Sequence, residues 1–184
     1  MNLVFGVMRI VNLAHGDFIM LGAFGAFWLF RSLGLPAPAV IAISFAAFFL
    51  IGLPLYYALV PRLFRSREPE MLSLILFFGL SQTLEAAASM LFGNSERSIP
   101  GRLLGGGPVP LFGQTVPFAW LYAAGVSAIM LVGVYVYLYQ TRLGRQTRAI
   151  MAQREEAVAI GVDVHRISAI AFGAGCGLAA VAGV

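Results

Sequence analysis

Five apolar runs, parted by connections that hold almost all of the charge, constrain this chain more than any other feature. They lie at about 17–30, 39–60, 71–92, 118–139 and 167–184. A helix rises 1.5 Å per residue, so about 20 apolar residues cross a hydrocarbon layer of about 30 Å. Each run reaches or nearly reaches that length except the first, which is short unless its N-terminal end lies within the bilayer. A further apolar piece at 3–11 is too short to span. Only 11% of the residues are charged and 60% are hydrophobic, whereas a soluble domain carries roughly 25% charged residues. The expected fold class is all-α: one polytopic transmembrane helix bundle over 1–184, with about five to six helices. Both ends fall inside apolar sequence, so the chain reads as a fragment incomplete at both ends. Met1 and Asn2 lead directly into apolar residues, without the basic start or cleavage site of a signal peptide.

The connections alternate in charge. Arg62, Arg65, Arg67, Arg142, Arg145, Arg148, Arg154 and Arg166 fall in 61–70 and 140–166, while Arg31, Arg97 and Arg102 fall in 31–38 and 93–117. That asymmetry puts the first set in the cytoplasm and makes 93–117 a periplasmic loop. The net charge of +4 rests on twelve basic residues, all Arg, and their distribution follows topology rather than a continuous basic face. No nucleic-acid partner is expected. Trp28, Trp120, Tyr122 and Tyr139 sit near span ends, as interfacial aromatics do. The single Cys176 lies in an apolar run, so the chain can form no intrachain disulfide or Cys-based metal site. The outer loop carries GGGPVP at 105–110 followed by LFGQTV, a pattern for a small hairpin or extended flap; a plain connector is the other reading.

The longest charged connection, 141–166, contains GRQTRAIMAQREEAVAIG. Arg145 and Arg148 precede Glu155 and Glu156, then Ala157 and Gly161. The spacing predicts a short helix over 145–159 on the bundle surface, ended by Gly161. Its small residues would let a soluble partner approach closely. A solvated charged loop is the competing reading.

Three further patterns sit in the apolar sequence. Asn12, His15, Gly16 and Asp17 form a polar island whose composition reads as a helix break, with Asp17 near the start of the next helix. Broken helices at membrane depth line transport pathways, and ionisable groups there face protein or water. An interfacial turn touching water or headgroups fits the same residues. Ser81, Gln82, Glu85 and Ser89 form a polar stripe; Ser81, Glu85 and Ser89 share one helix face that should point inward, to line a pathway or to bond a neighbouring helix. Ala169, Gly173 and Gly177 repeat at four and predict close helix packing. One His and one Asp supply too few ligands for a metal, so no metal and no cofactor is expected. The sequence holds no G-x-S-x-G, no H-E-x-x-H and no Walker phosphate loop. A non-enzymatic transport subunit is expected, and any ATP would be bound by another chain.

Three blocks carry a family likeness. GVMRIVNLAHGDFIMLGAF at 6–24, GLSQTLEAAASMLFG at 79–93 and the stretch from TRLGRQTRAIMAQREEAVAIG through the final helix at 141–184 resemble the permease subunits of ABC importers for branched-chain amino acids. The resemblance spans essentially the whole chain and implies most of one more helix before Met1 and several after Val184. It implies two cytoplasmic ATP-binding subunits, a second related permease forming a heterodimer, and a periplasmic or extracellular substrate-binding protein. With membrane lipid, these complete an importer in a bacterial or archaeal cytoplasmic membrane. It also implies that Arg148, Glu155, Glu156, Ala157 and Gly161 match the segment that docks on the ATPase, although Glu155-Glu156-Ala157 only approximates the usual acidic-Ala-Ala pattern. Asn12, Ala14, His15, Gly16 and Asp17 match the N-terminal signature.

The expected mechanism is alternating access, with the 145–159 helix as the lever moved by the ATPase. A permease for another small solute (sugar, urea, short amide) is the nearest alternative. An ion- or proton-coupled secondary transporter using Glu85 or Asp17, and a membrane scaffold protein, are the others.

Overall fold

The computed structural model describes residues 2–64, 66–93, 107, 109–111 and 114–184. Arg65, Arg97, Arg102 and most of the glycine-rich part of the 93–117 loop lie outside the described residues. Eight helices and one small hairpin follow in order: α1 Asn2–Met8, α2 His15–Leu33, α3 Ala37–Leu63, α4 Pro69–Phe92, β1 Val109–Leu111, β2 Gln114–Val116, α5 Phe118–Gln140, α6 Arg142–Ala152, α7 Arg154–Ala159 and α8 Val164–Gly183. Five of them, α2, α3, α4, α5 and α8, are long and apolar enough to cross a membrane. The chain is an all-α, multi-pass membrane bundle.

Local chemistry sets the boundaries. Gly34 takes the left-handed conformation (φ 59°) and donates its N–H to the Phe30 carbonyl, which ends α2. Pro36 caps α3 from extended backbone, and a proline stands in its first turn, where a missing N–H costs nothing. The Thr141 hydroxyl accepts from the Gly144 N–H at 2.9 Å and so caps α6. Asp163 accepts from the Arg166 N–H at 3.0 Å and caps α8. The hairpin pairs Val109 with Val116 and Leu111 with Gln114, antiparallel.

The helix α8 is the hub, packing against α3, α2 and α1, and it is the most buried of the five long helices. Its small residues make this contact close. A Cβ at Gly177 would stand 2.9 Å from the Phe45 carbonyl oxygen, and one at Gly173 would stand 3.0 Å from that of Phe49. At those distances only hydrogen fits, so α3 and α8 touch backbone to backbone. At one end of this seam, Phe172 packs between Tyr56 (ring centroids 6.3 Å) and Phe77 (6.1 Å), and all three rings are fully buried. By contrast α5 buries none of its residues among those described.

The stripe on α4 departs from expectation. Ser81 is partly buried, but Gln82, Glu85 and Ser89 are exposed in this chain. The face turned to the bundle is Ser73, Phe77 and Ala88, with Leu80 and Leu84 packed beside them. Apolar residues at that helical spacing fill the bundle, and the Glu85 carboxylate is rotated away from it.

Candidate functional site

Two regions hold most of the residues singled out by sequence, and they meet at one end of the bundle. The first is the break between α1 and α2. The helix α1 stops at Met8, and Arg9 takes a left-handed backbone (φ 52°), the only non-glycine residue with positive φ among those described. A side chain at that φ costs energy, and such positions persist where the surroundings hold them. The chain then runs without helix to Ala14. Ile10, Asn12 and Ala14 are buried, at 2%, 3% and 0% exposure. The helix α2 begins at His15 with no side-chain cap; the Asp17 and Phe18 N–H groups both donate to the Ala14 carbonyl. His15 and Asp17 are partly buried and Gly16 is exposed.

The electrostatics of this break are those of acceptors without donors. Asn12 Oδ1 and Asp17 Oδ2 are both buried and have no hydrogen-bond partner among the described residues. A buried acceptor left unpaired costs about 1–3 kcal/mol. Such atoms fit a site that receives donors, either water or a ligand ammonium. Asp17 also lies in the first turn of α2, where the helix dipole favours its negative charge.

The second region is the charged segment. A single helix over 145–159 does not form. Gln153 is extended (φ −149°, ψ 111°) and divides the segment into α6 and α7. Its N–H closes α6 on the Ala149 carbonyl, and its own carbonyl accepts from the Ala157 N–H to open α7. The physical reason is return of the chain: a straight helix over 142–159 would extend about 27 Å, whereas the bend and the left-handed Gly161 (φ 82°) lead back to α8.

On this bent pair, Gly144, Thr147, Ile150 and Ala157 face the bundle and are buried. Arg145, Arg148, Glu155, Glu156 and Gly161 are exposed. The Arg148 guanidinium lies over the Tyr139 ring, 4.6 Å from its centroid. With its amide nitrogen turned toward the carboxylate, Gln153 donates to Glu156 Oε2 at 3.2 Å. Glu155 has no such partner among the described residues. Beside it stand Val158 and Ile160, 56% and 76% exposed. The sequence reading passed over these two; the signal was two branched apolar residues in an otherwise polar connection.

The two regions touch. The helix α1 packs on α6, and Gly6 lies directly against the Met151 side chain, which occupies the place a Cβ would take. Ser81, Gln82, Glu85 and Ser89 take no part in this junction. Gly173 and Gly177 lie on the opposite side of α8, against α3. No group of three or more His, Cys, Asp or Glu side chains is placed to hold a metal among the described residues.

The family model described as "branched-chain amino acid transport system / permease component" matches residues 1–184. The chain is 27% identical over 192 residues to the high-affinity branched-chain amino acid transport system permease protein BraD of Pseudomonas aeruginosa, covering 100% of this chain and 62% of that one. It is 23% identical to LivH of Escherichia coli, with the same coverage. It is 24% identical to the probable branched-chain amino acid transport permease protein LivH of Methanocaldococcus jannaschii, covering 58% of that protein. The chain thus spans about three fifths of the length of these relatives. No solved structure matches it.

Proposed function

The chain belongs to the branched-chain amino acid transport system permease family, and on that premise we propose that it forms membrane-spanning wall in an ATP-driven importer for branched-chain amino acids. The observation that carries this reading is the family match along all 184 residues, break and charged segment included. Two cytoplasmic ATP-binding subunits supply the energy. A second, related permease completes the pathway, and a substrate-binding protein delivers the amino acid from outside. The assembly sits in a bacterial or archaeal cytoplasmic membrane.

Residues on the bent pair support the energetic coupling. Glu155, free of the Gln153 contact that engages Glu156, is the charged group offered to the ATP-binding subunit. Val158 and Ile160 offer apolar area beside it, the mixture found at interface cores and rims. Arg145 and Arg148 border the patch. ATP binding would move α6 and α7, and the Gly6–Met151 contact carries the movement to α1 and its break. The bundle then exchanges outward and inward states, biased by the partner's unequal contacts with the two.

The break supports a role in the pathway. The unpaired acceptors Asn12 Oδ1 and Asp17 Oδ2 complement the ammonium group that every amino acid carries, and His15 adds a polar side chain beside them. The test is ATP-dependent leucine uptake by proteoliposomes that hold the natural permease, its subunits and the binding protein. Uptake that requires every component supports the reading; ATP hydrolysis without leucine movement would overturn the substrate, and failure to capture an ATP-binding subunit would overturn the importer.

A further inference from the structure

A cavity of about 190 Å³ opens where four parts of the chain converge: the end of α1 and the residues after it (Gly6 to Ile10), the end of α3 and start of α4 (Phe64, Pro69, Glu70), α6 (Ile150, Ala152) and Arg154 at the start of α7. The proposal rests on the sidedness given above, by which this end of the bundle is cytoplasmic. The floor is apolar: Val7, Met8, Ile10 and Ile150 are all buried. The charged lining consists of Arg9, Arg154 and Glu70. Among the described residues neither guanidinium makes an ion pair, and the lining charge sums to +1 because Glu70 offsets one arginine.

Arg154 is held by its side chain and Arg9, an exposed residue, by its backbone. The Arg154 guanidinium lies 4.0 Å from the Phe64 ring centroid, a cation–π contact that fixes its plane across the gap between α7 and α3. Arg9 stands at the end of α1 with its N–H bonded to the Phe5 carbonyl at 2.7 Å and its backbone at φ 52°. The fold thus keeps a non-glycine residue in a costly conformation at the mouth of a cavity that carries a second arginine.

We propose that this cavity receives the phosphate of an anionic phospholipid headgroup, held between Arg9 and Arg154. Guanidinium groups bind phosphate through paired N–H donors in a fixed fork. Basic pockets between membrane helices at the cytoplasmic face suit such headgroups. The end of α3 at Phe64 and the start of α4 at Pro69 line the cavity, so it lies where the chain leaves the hydrocarbon layer and phospholipid phosphates are concentrated. Glu70 selects against a bare multivalent anion by keeping the net charge low. Because Arg154 directly follows the Gln153 bend, a bound headgroup ties α1, the α3–α4 connection and α7 together at the joint that the coupling movement must pass.

The test is a lipid titration of the natural permease, delipidated in detergent together with its co-purifying subunits. Retained lipid is read by native mass spectrometry with phosphatidylglycerol, with phosphatidylcholine and with inorganic phosphate alone. Phosphatidylglycerol is expected to be retained over phosphatidylcholine. Arg9→Gln and Arg154→Gln should each weaken retention about five-fold, the factor matching about 1 kcal/mol per basic residue near an anionic surface. Arg31→Gln, in the last turn of α2 at the other end, should leave it unchanged, and Arg154→Lys should restore part of the loss. Equal retention of the two lipids, or equal loss in Arg31→Gln, would overturn the site. Displacement of phosphatidylglycerol by millimolar inorganic phosphate would overturn the lipid as its source. Capture of ATP-binding subunits is scored on the same preparations: selective retention without capture sinks the importer reading and leaves the site standing, and capture without selective retention does the reverse.

Discussion

The hydroxyls of Tyr137 and Thr147 lie 3.0 Å apart, and this contact fastens α6 to the last turn of the membrane helix α5. Thr147 is fully buried and also donates to the Leu143 carbonyl at 2.9 Å, so its single proton goes there and Tyr137 is the donor between the two side chains. Just beside them Gly144 fits against the Tyr137 carbonyl and Leu138 backbone, with no room for a Cβ. The segment that faces the cytoplasmic partner in our reading is therefore clamped to α5 at one end and packed on α1 and α8 further along.

Removing that clamp should loosen α6 without unfolding the bundle. We predict that Tyr137→Phe costs about 1 kcal/mol, the net worth of one hydrogen bond, since Thr147 keeps its Leu143 partner. A double-mutant cycle with Thr147→Val, read by thermal unfolding in detergent, should return a coupling energy of similar size. A coupling near zero would show that the contact does not hold α6.

The exposed surface of α7 should carry subunit association. Glu155→Arg is predicted to reduce capture of the ATP-binding subunit at least as much as Glu156→Arg, because Gln153 already engages Glu156. Val158→Asp with Ile160→Asp should abolish capture, since both side chains are more than half exposed and can be charged without disturbing the bundle. Expression and melting temperature should stay near wild type, as surface changes usually lie within about 0.5 kcal/mol. Unchanged capture by the Asp pair would remove α7 from the interface.

The break should matter for transport rather than for assembly. Asn12→Ala removes a buried acceptor that has no partner among the described residues, and Asp17→Asn removes the charge and exchanges one carboxylate oxygen for an NH2 donor, so neither should destabilise strongly. Leucine uptake is expected to fall about tenfold, a loss of about 1.4 kcal/mol from one polar contact to substrate, with subunit capture intact. His15→Ala should have a smaller effect, because His15, unlike Asn12 and Asp17, carries no unpartnered buried atom among the described residues. Normal uptake by all three variants at normal expression would leave the break as an interfacial turn.

Much of this architecture could be read from hydropathy. The spans at 39–60, 71–92 and 118–139 grew by only a few residues, to Ala37–Leu63, Pro69–Phe92 and Phe118–Gln140, because length and apolarity decide what crosses a bilayer. The island at 12–17 revealed the break, since Asn, Gly and Asp cannot sit cheaply inside an apolar helix. The bend at Gln153 left no such mark: glutamine is a good helix former, and the bend follows from where α8 must begin. The face that α4 turns to this chain's own bundle was hidden for a related reason. Between helices in lipid, apolar burial gives no contrast between bundle and surroundings, so Phe77 and Leu84 looked no more inward than their neighbours. Glu85 stood out chemically but marked the side turned away from this chain's own bundle.

The seam between α3 and α8 yields the sharpest stability prediction. A Cβ at Gly177 would stand 2.9 Å from the Phe45 carbonyl oxygen and 3.0 Å from the edge of its ring. The ring can swing aside, but the carbonyl is helix backbone and cannot, so Gly177→Ala must push α3 outward. Overpacking of this kind costs about 1–3 kcal/mol. Gly177→Leu should exceed that range and prevent assembly. Gly125→Ala and Gly133→Ala supply the contrast: both lie on α5 with nothing within 4 Å of the added atom, so a better helix former replaces a poor one and stability should hold or rise slightly. Thermal unfolding of the natural permease in one detergent compares all four. If Gly177→Ala melts with the α5 variants, the backbone contact at Phe45 does not hold the two helices together, and α8 loses its place as the hub of the bundle.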